Sequence, residues 1–259
     1  MTATIDPRIR ERRVEVQRAA GRRRLRITLL VVFALVALGC VYLLVHSPLL
    51  DVDHVRVEGV QQLGAQEVID TAAVDRGAPL LRVDTGAVRD RLEQLPWVAR
   101  ADVDAQLPGT LRITVHERVP AAYARRDETT VVLFDASGFA ISDVPAPPAG
   151  LVEVRGAPQI PPVGGTLAPL GTAGVVQALP AELASRVAAI QVSGDGRVGS
   201  ETVALVLHGG GEVRLCAPVE LEAKGASALA VLQRMGATPF AYLDVCVPQS
   251  PVAGGVPDA

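Results

Sequence analysis

The longest pattern of apolar positions along the chain is an uncharged run over residues 27–45, which reads ITLLVVFALVALGCVYLLV. As a helix, these nineteen residues at about 1.5 Å each would reach roughly 28 Å, close to the ~30 Å hydrocarbon core of a bilayer. A single segment in lipid can satisfy its own backbone only as a helix. The run therefore predicts a transmembrane helix over residues 27–45.

The charges around this run predict its orientation. Residues 1–26 form a basic arm with nine arginines and three acidic residues, a charge of +6, which leaves −9 for the rest because the whole chain carries −3. Positive flanks stay in the cytoplasm. We therefore expect a single-pass type II protein of the plasma membrane, with a cytoplasmic arm and most of the chain outside. The acidic outer part argues against nucleic-acid binding, which needs a basic face.

Three other interpretations of the apolar run are disfavoured by its details. A cleaved signal peptide has an apolar stretch of about 7–15 residues and a small-residue cleavage site, whereas this run is longer and is followed by His46-Ser47-Pro48. The sequence Leu38-Gly39-Cys40 suggests a lipoprotein signal, but the apolar run continues beyond Cys40. A buried core helix would need a polar face, and the run has none.

Residues 50–118 alternate between the strand and helix periods and predict a compact α+β unit. In residues 110–117, Leu111, Ile113 and Val115 alternate with polar residues, which is typical of a half-buried strand. The predicted elements are a strand near residues 52–57, a helix over 65–74, a helix that begins after Asp84 and ends before Pro96, and strands over 98–106 and 110–117, joined by a turn at Leu107-Pro108-Gly109.

Residues 119–248 are dominated by strand patterns and predict a mixed β domain with one packed helix. The predicted strands cover residues 130–134, 139–141, 151–154, 187–192, 202–207, 212–216 and 242–247. The pattern also predicts helices over residues 173–184, interrupted by Pro180, and over 218–235, where Leu221, Leu229 and Leu232 share one face. We expect residues 249–259 to be a disordered tail.

The residue types that carry chemistry do not assemble into a recognisable catalytic or metal motif. His208 begins a His-Gly-Gly-Gly run like the oxyanion loop of some lipases, but the chain has no G-x-S-x-G sequence. Lys224 is the only lysine, and the four histidines lack metal-ligand spacing. Asp102 and Asp104 are spaced to lie on one face of a strand, where a glycosidase pair is conceivable, but two acids on a solvated strand face are far commoner. We therefore expect no catalytic, cofactor-binding or metal-binding residues and no small-molecule substrate.

Two cysteines lie outside the apolar run, where oxidation is permitted. Cys216 closes one predicted strand and Cys246 lies near the end of the strand after the next helix. A strand-helix-strand crossover is usually parallel, which would bring the two strand ends side by side. Sequence alone leaves open whether the pair forms a disulfide or remains two separate thiols.

The order strand, helix, helix, strand, strand resembles a POTRA module. The phrase Pro96-Trp97-Val98, the Leu-Pro-Gly turn and the closing VHERVP at residues 115–120 are similar to the POTRA of the FtsQ family of bacterial division proteins, called DivIB in some lineages. The order of arm, apolar run, POTRA and β domain also resembles this family over nearly the whole chain. The resemblance implies a divisome scaffold that binds the small bitopic proteins FtsB (DivIC) and FtsL, with other division proteins as further partners, and helps to regulate septal peptidoglycan synthesis.

Sheet edges are where such domains bind extended partners, because an incoming strand can hydrogen-bond to the free backbone. The last predicted strand is the natural donor edge. The candidate partner-binding residues are Tyr242, Leu243, Asp244, Val245, Cys246 and Val247. Within this strand we expect Leu243, Val245 and Val247 to face the core.

Two functions of other classes remain as alternatives. The first is a membrane-anchored enzyme that processes cell-wall or other polymers with an atypical site. The second is a POTRA protein of secretion or outer-membrane assembly, although such proteins carry several POTRA modules and this chain shows one. The sequence leaves open the partner list and stoichiometry, the POTRA surface that partners contact, and whether the two outer domains move independently.

Overall fold

The computed structural model describes residues 26–40, 42, 51–194, 202–236 and 238–255. Residues 26–40 are helical with exposed side chains, and the rest of the predicted span, apart from residue 42, lies outside the described residues, as does the basic arm up to residue 25. Over the residues that the structure describes, no helix combines the length and the apolar character needed to cross a membrane.

The first folded unit contains a three-stranded sheet covered by two helices. Its elements are β1 His54–Glu58, α1 Ala65–Ala72, α2 Thr85–Leu92, β2 Val98–Gln106 and β3 Thr110–Glu117. The sheet order is β1-β3-β2, with β1 parallel and β2 antiparallel to the central β3. The predicted β-α-α-β-β order is therefore confirmed.

Local sequence explains where these elements begin and what they bury. The side chain of Asp84 accepts a hydrogen bond from the Ala87 amide at 3.0 Å, which caps the first turn of α2. Leu111, Ile113 and Val115 all point into the core, as their alternation predicts. The helices cover this face with a narrow apolar stripe, and the shared core is built from small and medium aliphatic residues: Val52, Val68, Ala72, Leu80, Val88, Leu92, Val98 and Ala101.

The second unit is a nine-stranded mixed sheet with its helices packed against the core. Its elements are β4 Pro120–Arg125, β5 Val131–Asp135, β6 Ala140–Val144, β7 Val152–Arg155, α3 Ala181–Ala184, β8 Val187–Ser193, β9 Thr202–Leu207, β10 Glu212–Cys216, α4 Leu221–Met235, β11 Tyr242–Asp244 and β12 Val252–Gly254. The strand order is β12-β11-β10-β9-β8-β7-β4-β5-β6. The predicted combination of an α+β unit and a larger mixed sheet is therefore confirmed.

The helix predicted over residues 173–184 is broken in the structure. Two short 3-10 turns, Thr172–Gly174 and Val176–Ala178, precede the four-residue helix α3, which begins after Pro180. The ring of Pro180 excludes a continuous helix because it clashes with the preceding turn and offers no amide hydrogen. The segment still buries apolar residues, since Val175 and Leu183 are fully inside the core.

The two units join without a flexible linker, because only Arg118 and Val119 separate β3 from β4. The Glu117 carboxylate accepts hydrogen bonds from three successive amides, those of residues 61–63, at 2.9–3.0 Å. Burial acts to raise the pKa of Glu117, but these hydrogen bonds outweigh it and hold the pKa below its usual range. Glu117 therefore fastens the end of β3 to the loop before α1.

Arg118, the residue after Glu117, connects the joint to the large sheet. The Arg118 guanidinium donates to the Asp135 carboxylate at 2.6 Å and lies 3.9 Å from the centre of the Phe139 ring, while its amide donates to the Trp97 carbonyl. Burial acts to raise the pKa of Asp135, but hydrogen bonds from Ser137, Arg118 and the Phe139 amide lower it overall. A cavity of about 660 Å³ opens beside this joint.

Candidate partner-binding edge of the sheet

The predicted site strand is shorter than expected and is not the outermost strand. β11 covers Tyr242–Asp244 only, with parallel β10 on one side and antiparallel β12 on the other. Residues 245–247 lie beyond the strand, although the Val245 amide still donates to the Arg214 carbonyl of β10 at 3.0 Å. The prediction of a free edge over residues 242–247 is therefore wrong, because a later segment pairs with β11.

The segment that covers β11 is the part of the chain expected to be a disordered tail. Residues 252–254 form β12, in the register Tyr242 with Gly254, Leu243 with Ala253 and Asp244 with Val252. The Ala241 amide extends the pairing with a hydrogen bond to the Gly255 carbonyl at 3.2 Å. The prediction of disorder from residue 249 is wrong for this strand, while residues 256–259 lie outside the described residues.

The prediction that Leu243, Val245 and Val247 face the core is confirmed for two of these three residues. Leu243 and Val245 are completely buried in the core of the large sheet. Val247 is 57% exposed, because it lies beyond the strand, where the alternation of faces no longer applies. The apolar set that anchors this end of the sheet is therefore Leu243 and Val245 alone.

On the opposite face, Tyr242 is held between a charged side chain and a glycine. The Arg214 guanidinium lies 4.2 Å from the centre of the Tyr242 ring and also pairs with Glu212 at 2.5 Å. A Cβ atom added to Gly254 would lie 2.6 Å from the Tyr242 hydroxyl oxygen, so the ring rests directly on the backbone of β12. A cation over an aromatic face contributes about 0.5–1 kcal/mol at exposed sites.

A disulfide closes the end of the sheet next to this strand. Cys216 and Cys246 are bonded to each other, with their Cα atoms 5.3 Å apart. The parallel pairing of β10 with β11 brings the two strand ends together, as the crossover pattern predicted. The Asp244 carboxylate lies near the two sulfurs, but each sulfur is bonded to the other and neither is a thiolate available to a metal.

Lys224 supports the same corner from inside the protein. Its ammonium donates to the carbonyls of Leu215 and Ala217 at 2.8 and 2.9 Å, the two residues that flank Cys216. Burial lowers the pKa of Lys224, and Glu220 partly opposes the shift. In the sequence, Lys224 stands out only as the single lysine of the chain. Its place four residues before Ala228 and eight before Leu232, on the buried stripe of α4, was the signal that it faces inward.

The acidic and histidine residues weighed as catalytic candidates lie on an exposed strand face. Asp102 accepts hydrogen bonds from Arg100 at 2.7 Å and pairs with His116 at 3.1 Å, while Asp104 is exposed. The hydrogen bond from Arg100 is the main cause that lowers the pKa of Asp102. The general acid of a glycosidase needs a raised pKa instead. Asp102 therefore does not fit the role of the general acid.

The lipase-like His-Gly-Gly-Gly run at residues 208–211 is a turn. His208 begins the connection between β9 and β10, where Gly210 and Gly211 have φ angles of 87° and 80°. These left-handed conformations favour glycine for steric reasons. The glycine run is therefore explained by the hairpin that it forms.

Comparisons with known proteins agree with this architecture. Residues 50–118 match the sequence model of the POTRA domain, FtsQ-type. The cell division protein FtsQ of Mycobacteroides abscessus is 34% identical over 184 residues, which cover 68% of this chain and 57% of that protein. The chain belongs to the FtsQ family.

Other FtsQ relatives align over shorter stretches. The cell division protein FtsQ of Mycolicibacterium smegmatis is 39% identical over 112 residues, which are 43% of this chain and 33% of that protein. The FtsQ of Streptomyces collinus is 36% identical over 137 residues, 52% of each chain. This FtsQ-family chain thus spans between about a third and three fifths of these relatives' lengths.

Proposed function

We propose that this chain is a non-enzymatic scaffold of the cell-division machinery. It binds the outer segments of FtsB (DivIC) and FtsL, contacts other division proteins, and thereby helps to regulate septal peptidoglycan synthesis. One observation carries the proposal: an FtsQ-type POTRA is joined on the same chain to a sheet that ends in short strands. Sheet ends of this kind accept partner strands through backbone hydrogen bonds.

Of the two ends of the large sheet, the end where the short β12 pairs with β11 is the better docking place. At the opposite end, a loop already bonds to β6, because the Ala140 amide donates to Gly165 and its carbonyl accepts from Gly164. The end near β11 is covered by the three-residue strand β12 and presents the half-buried Tyr242 beside Arg214. Aromatic and arginine side chains are enriched among residues that dominate binding. We therefore assign partner binding to β11 and the residues that follow it, 242–247.

Crosslinking can test this assignment. The full-length chain is co-expressed with the FtsB and FtsL of the same bacterium, and benzoylphenylalanine replaces Tyr242. We expect both partners to co-purify and a partner to crosslink at position 242. The matched control replaces Tyr123, a half-buried tyrosine on the interior strand β4, where we expect no crosslink. Absence of both partners would reject the scaffold role. If benzoylphenylalanine at a POTRA position, for example 100, crosslinked to a partner and benzoylphenylalanine at position 242 did not, the interface would lie on the POTRA.

We also propose that residues 27–45 cross the plasma membrane with the N-terminus in the cytoplasm. The support is the uncharged run behind an arm of nine arginines. In a Cys40→Ser background, Val60→Cys should react with an impermeant thiol reagent on whole cells and Glu15→Cys should not. The reverse pattern would overturn this orientation.

A further inference from the structure

We propose that residues 51–54, 75–84 and 107–109, the entry end of the POTRA, rest on the outer surface of the plasma membrane, with Leu81 and Leu107 inserted among the lipid headgroups. The inference rests on the proposed membrane crossing of the preceding apolar run and adds a second, peripheral contact with the same bilayer. The two leucine side chains are 56% and 62% exposed. Single exposed leucines are common on protein surfaces, so these two are informative only because of where they lie.

Both leucines belong to loops that bond to the segment by which the chain enters the POTRA. Within residues 51–54, one amide donates to the Ala78 carbonyl at 2.9 Å, and two amides donate to the Gly109 carbonyl at 2.9 and 3.1 Å. Ala78 belongs to the loop that leads into Leu81, and Gly109 closes the turn that contains Leu107. The two loops therefore meet at one end of the unit.

The local backbone directs both side chains away from the POTRA core. Leu80 is 1% exposed, so the next residue of the same 3-10 turn, Leu81, points outward. Leu107 follows the last residue of β2 and lies beyond the sheet. Over residues 51–118, all of which the structure describes, no other large apolar side chain is exposed. The exposed apolar surface of the POTRA is therefore concentrated at the entry end.

The connection to the apolar run is too short to hold this end far from the lipid. Val45, the last residue of the run, and Asp51 are six positions apart in the sequence. A fully extended chain spans at most about 3.3–3.6 Å per residue, which gives roughly 20–22 Å here. The opposite end of the POTRA lies about 27 Å away from the entry end, since β3 has eight residues at about 3.4 Å each. The entry end is therefore the part of the POTRA that the tether holds beside the bilayer.

The charges of the entry end indicate that the contact is apolar. Basic segments are drawn to anionic lipids by charge, but here four carboxylates face two guanidinium groups: Asp51, Asp53, Asp75, Asp84, Arg76 and Arg82. Apolar side chains that enter the headgroup region bind by burial of their surface instead. The contact should therefore persist in about 1 M NaCl, where the Debye length is ~3 Å.

A POTRA seated on the bilayer also sets the position of the large sheet. The Glu117 carboxylate and the Arg118 guanidinium hold the joint between the two units by hydrogen bonds. The large sheet then has a fixed height above the membrane, at which partners that span the same bilayer present their outer segments.

Spin labels on the full-length chain, in nanodiscs of phosphatidylcholine and phosphatidylglycerol, test the contact. The labelled variants share a Cys40→Ser background, in which Cys216 and Cys246 stay in their disulfide. They are Leu81→Cys, Leu107→Cys, Val119→Cys and Val36→Cys. We measure how often each nitroxide collides with a water-soluble nickel chelate. If the bilayer covers the two leucines about 90% of the time, the collision rate at positions 81 and 107 should be about tenfold lower than at position 119. Val119 is the matched control because it is 73% exposed and follows the far end of β3.

A second set of variants tests whether the leucines cause the contact. With the nitroxide on Asp75→Cys, the pair Leu81→Ser and Leu107→Ser should raise the collision rate about tenfold, and Val119→Ser should leave it unchanged. Equal rates at positions 81, 107 and 119, with position 36 protected, would overturn the contact and leave the membrane span intact. Loss of the protection in about 1 M NaCl would also overturn it, because the attraction would then be electrostatic. Access of the chelate to position 36 would instead reject the proposed span itself.

Discussion

The Arg118 guanidinium lies 2.6 Å from the Asp135 carboxylate, so the residue that follows the last POTRA strand is bonded to the last residue of β5 in the large sheet. Both side chains are largely buried, with 20% and 12% of their surfaces exposed. A charged hydrogen bond in such a place contributes more than an exposed ion pair. This pair fixes the joint between the two units.

Arg118→Ala should lower the free energy of unfolding by about 1–3 kcal/mol, because it leaves the Asp135 carboxylate partly buried without its cation. Urea denaturation followed by the fluorescence of Trp97, the only tryptophan, measures the change beside the joint. Arg125→Ala is the control. It removes an exposed partner of Glu153, which keeps Arg155, and should cost less than about 1 kcal/mol. Equal losses in both variants would contradict a special role for Arg118.

Acid should loosen the joint through Asp135 and Glu117. Both folded-state pKa values are lowered, so both groups stabilise the fold above the unfolded pKa of about 4, and this contribution is lost as the pH falls through the folded values. Asp135→Asn should therefore make stability less dependent on pH below about 4. Denaturation midpoints measured between pH 2 and pH 7 test this. An unchanged pH dependence would show that Asp135 has a similar pKa when the chain is unfolded.

The disulfide should stabilise the large sheet against unfolding. Cys216 and Cys246 are separated by 30 residues, for which chain entropy suggests about 3–4 kcal/mol. The double variant Cys216→Ala with Cys246→Ala should lose stability of this order in urea denaturation. Mass spectrometry after alkylation of the unreduced, denatured chain should find one modified thiol, at Cys40. Three modified thiols would show that the pair is reduced.

Lys224→Met should destabilise the corner beside the disulfide by about 1–3 kcal/mol, because the carbonyls of the buried Leu215 and of Ala217 lose their donor. The matched control is Arg234→Met, which removes an exposed positive charge from the last turn of α4 and should cost about 1 kcal/mol or less. Thermal or urea denaturation of both variants gives the comparison. A more stable Lys224→Met protein would mean that desolvation of the ammonium outweighs its two hydrogen bonds.

The sequence was sufficient to predict the bounds of an element where its local pattern of apolar residues agrees with its burial in the core. Strands β2 and β3 end where the alternation predicts, because the Leu-Pro-Gly turn and the buried positions of β3 require the same register. Helix α4 begins three residues later than predicted. Glu220, just before it, has a φ angle of 53°, a left-handed conformation that no sequence period reveals.

The partner edge was harder to predict because its decisive contact is tertiary. Val252-Ala253-Gly254 has weak strand propensity, and glycine lowers it further. The segment forms a strand because Tyr242 lies over Gly254 and β11 offers free backbone groups, neither of which is local in sequence. Prediction of the disulfide also required the distance between the Cα atoms of the two cysteines, which their spacing in the sequence does not determine.

The position of β4 between β5 and β7 has a consequence for the order of folding. The β5–β6 and β9–β10 pairs are hairpins between neighbouring strands, and such local pairs form within microseconds. The parallel pairing of β4 with β7 instead joins Ala122 to Val152, and loop closure over such separations slows folding. We therefore expect the two hairpins to form early as separate nuclei and the β4–β7 seam to close late, as should the parallel β7–β8 pairing, which joins Glu153 to Ala189. Until the β4–β7 seam closes, β4 and β7 each present an unpaired edge, and the newly made chain is most exposed to aggregation.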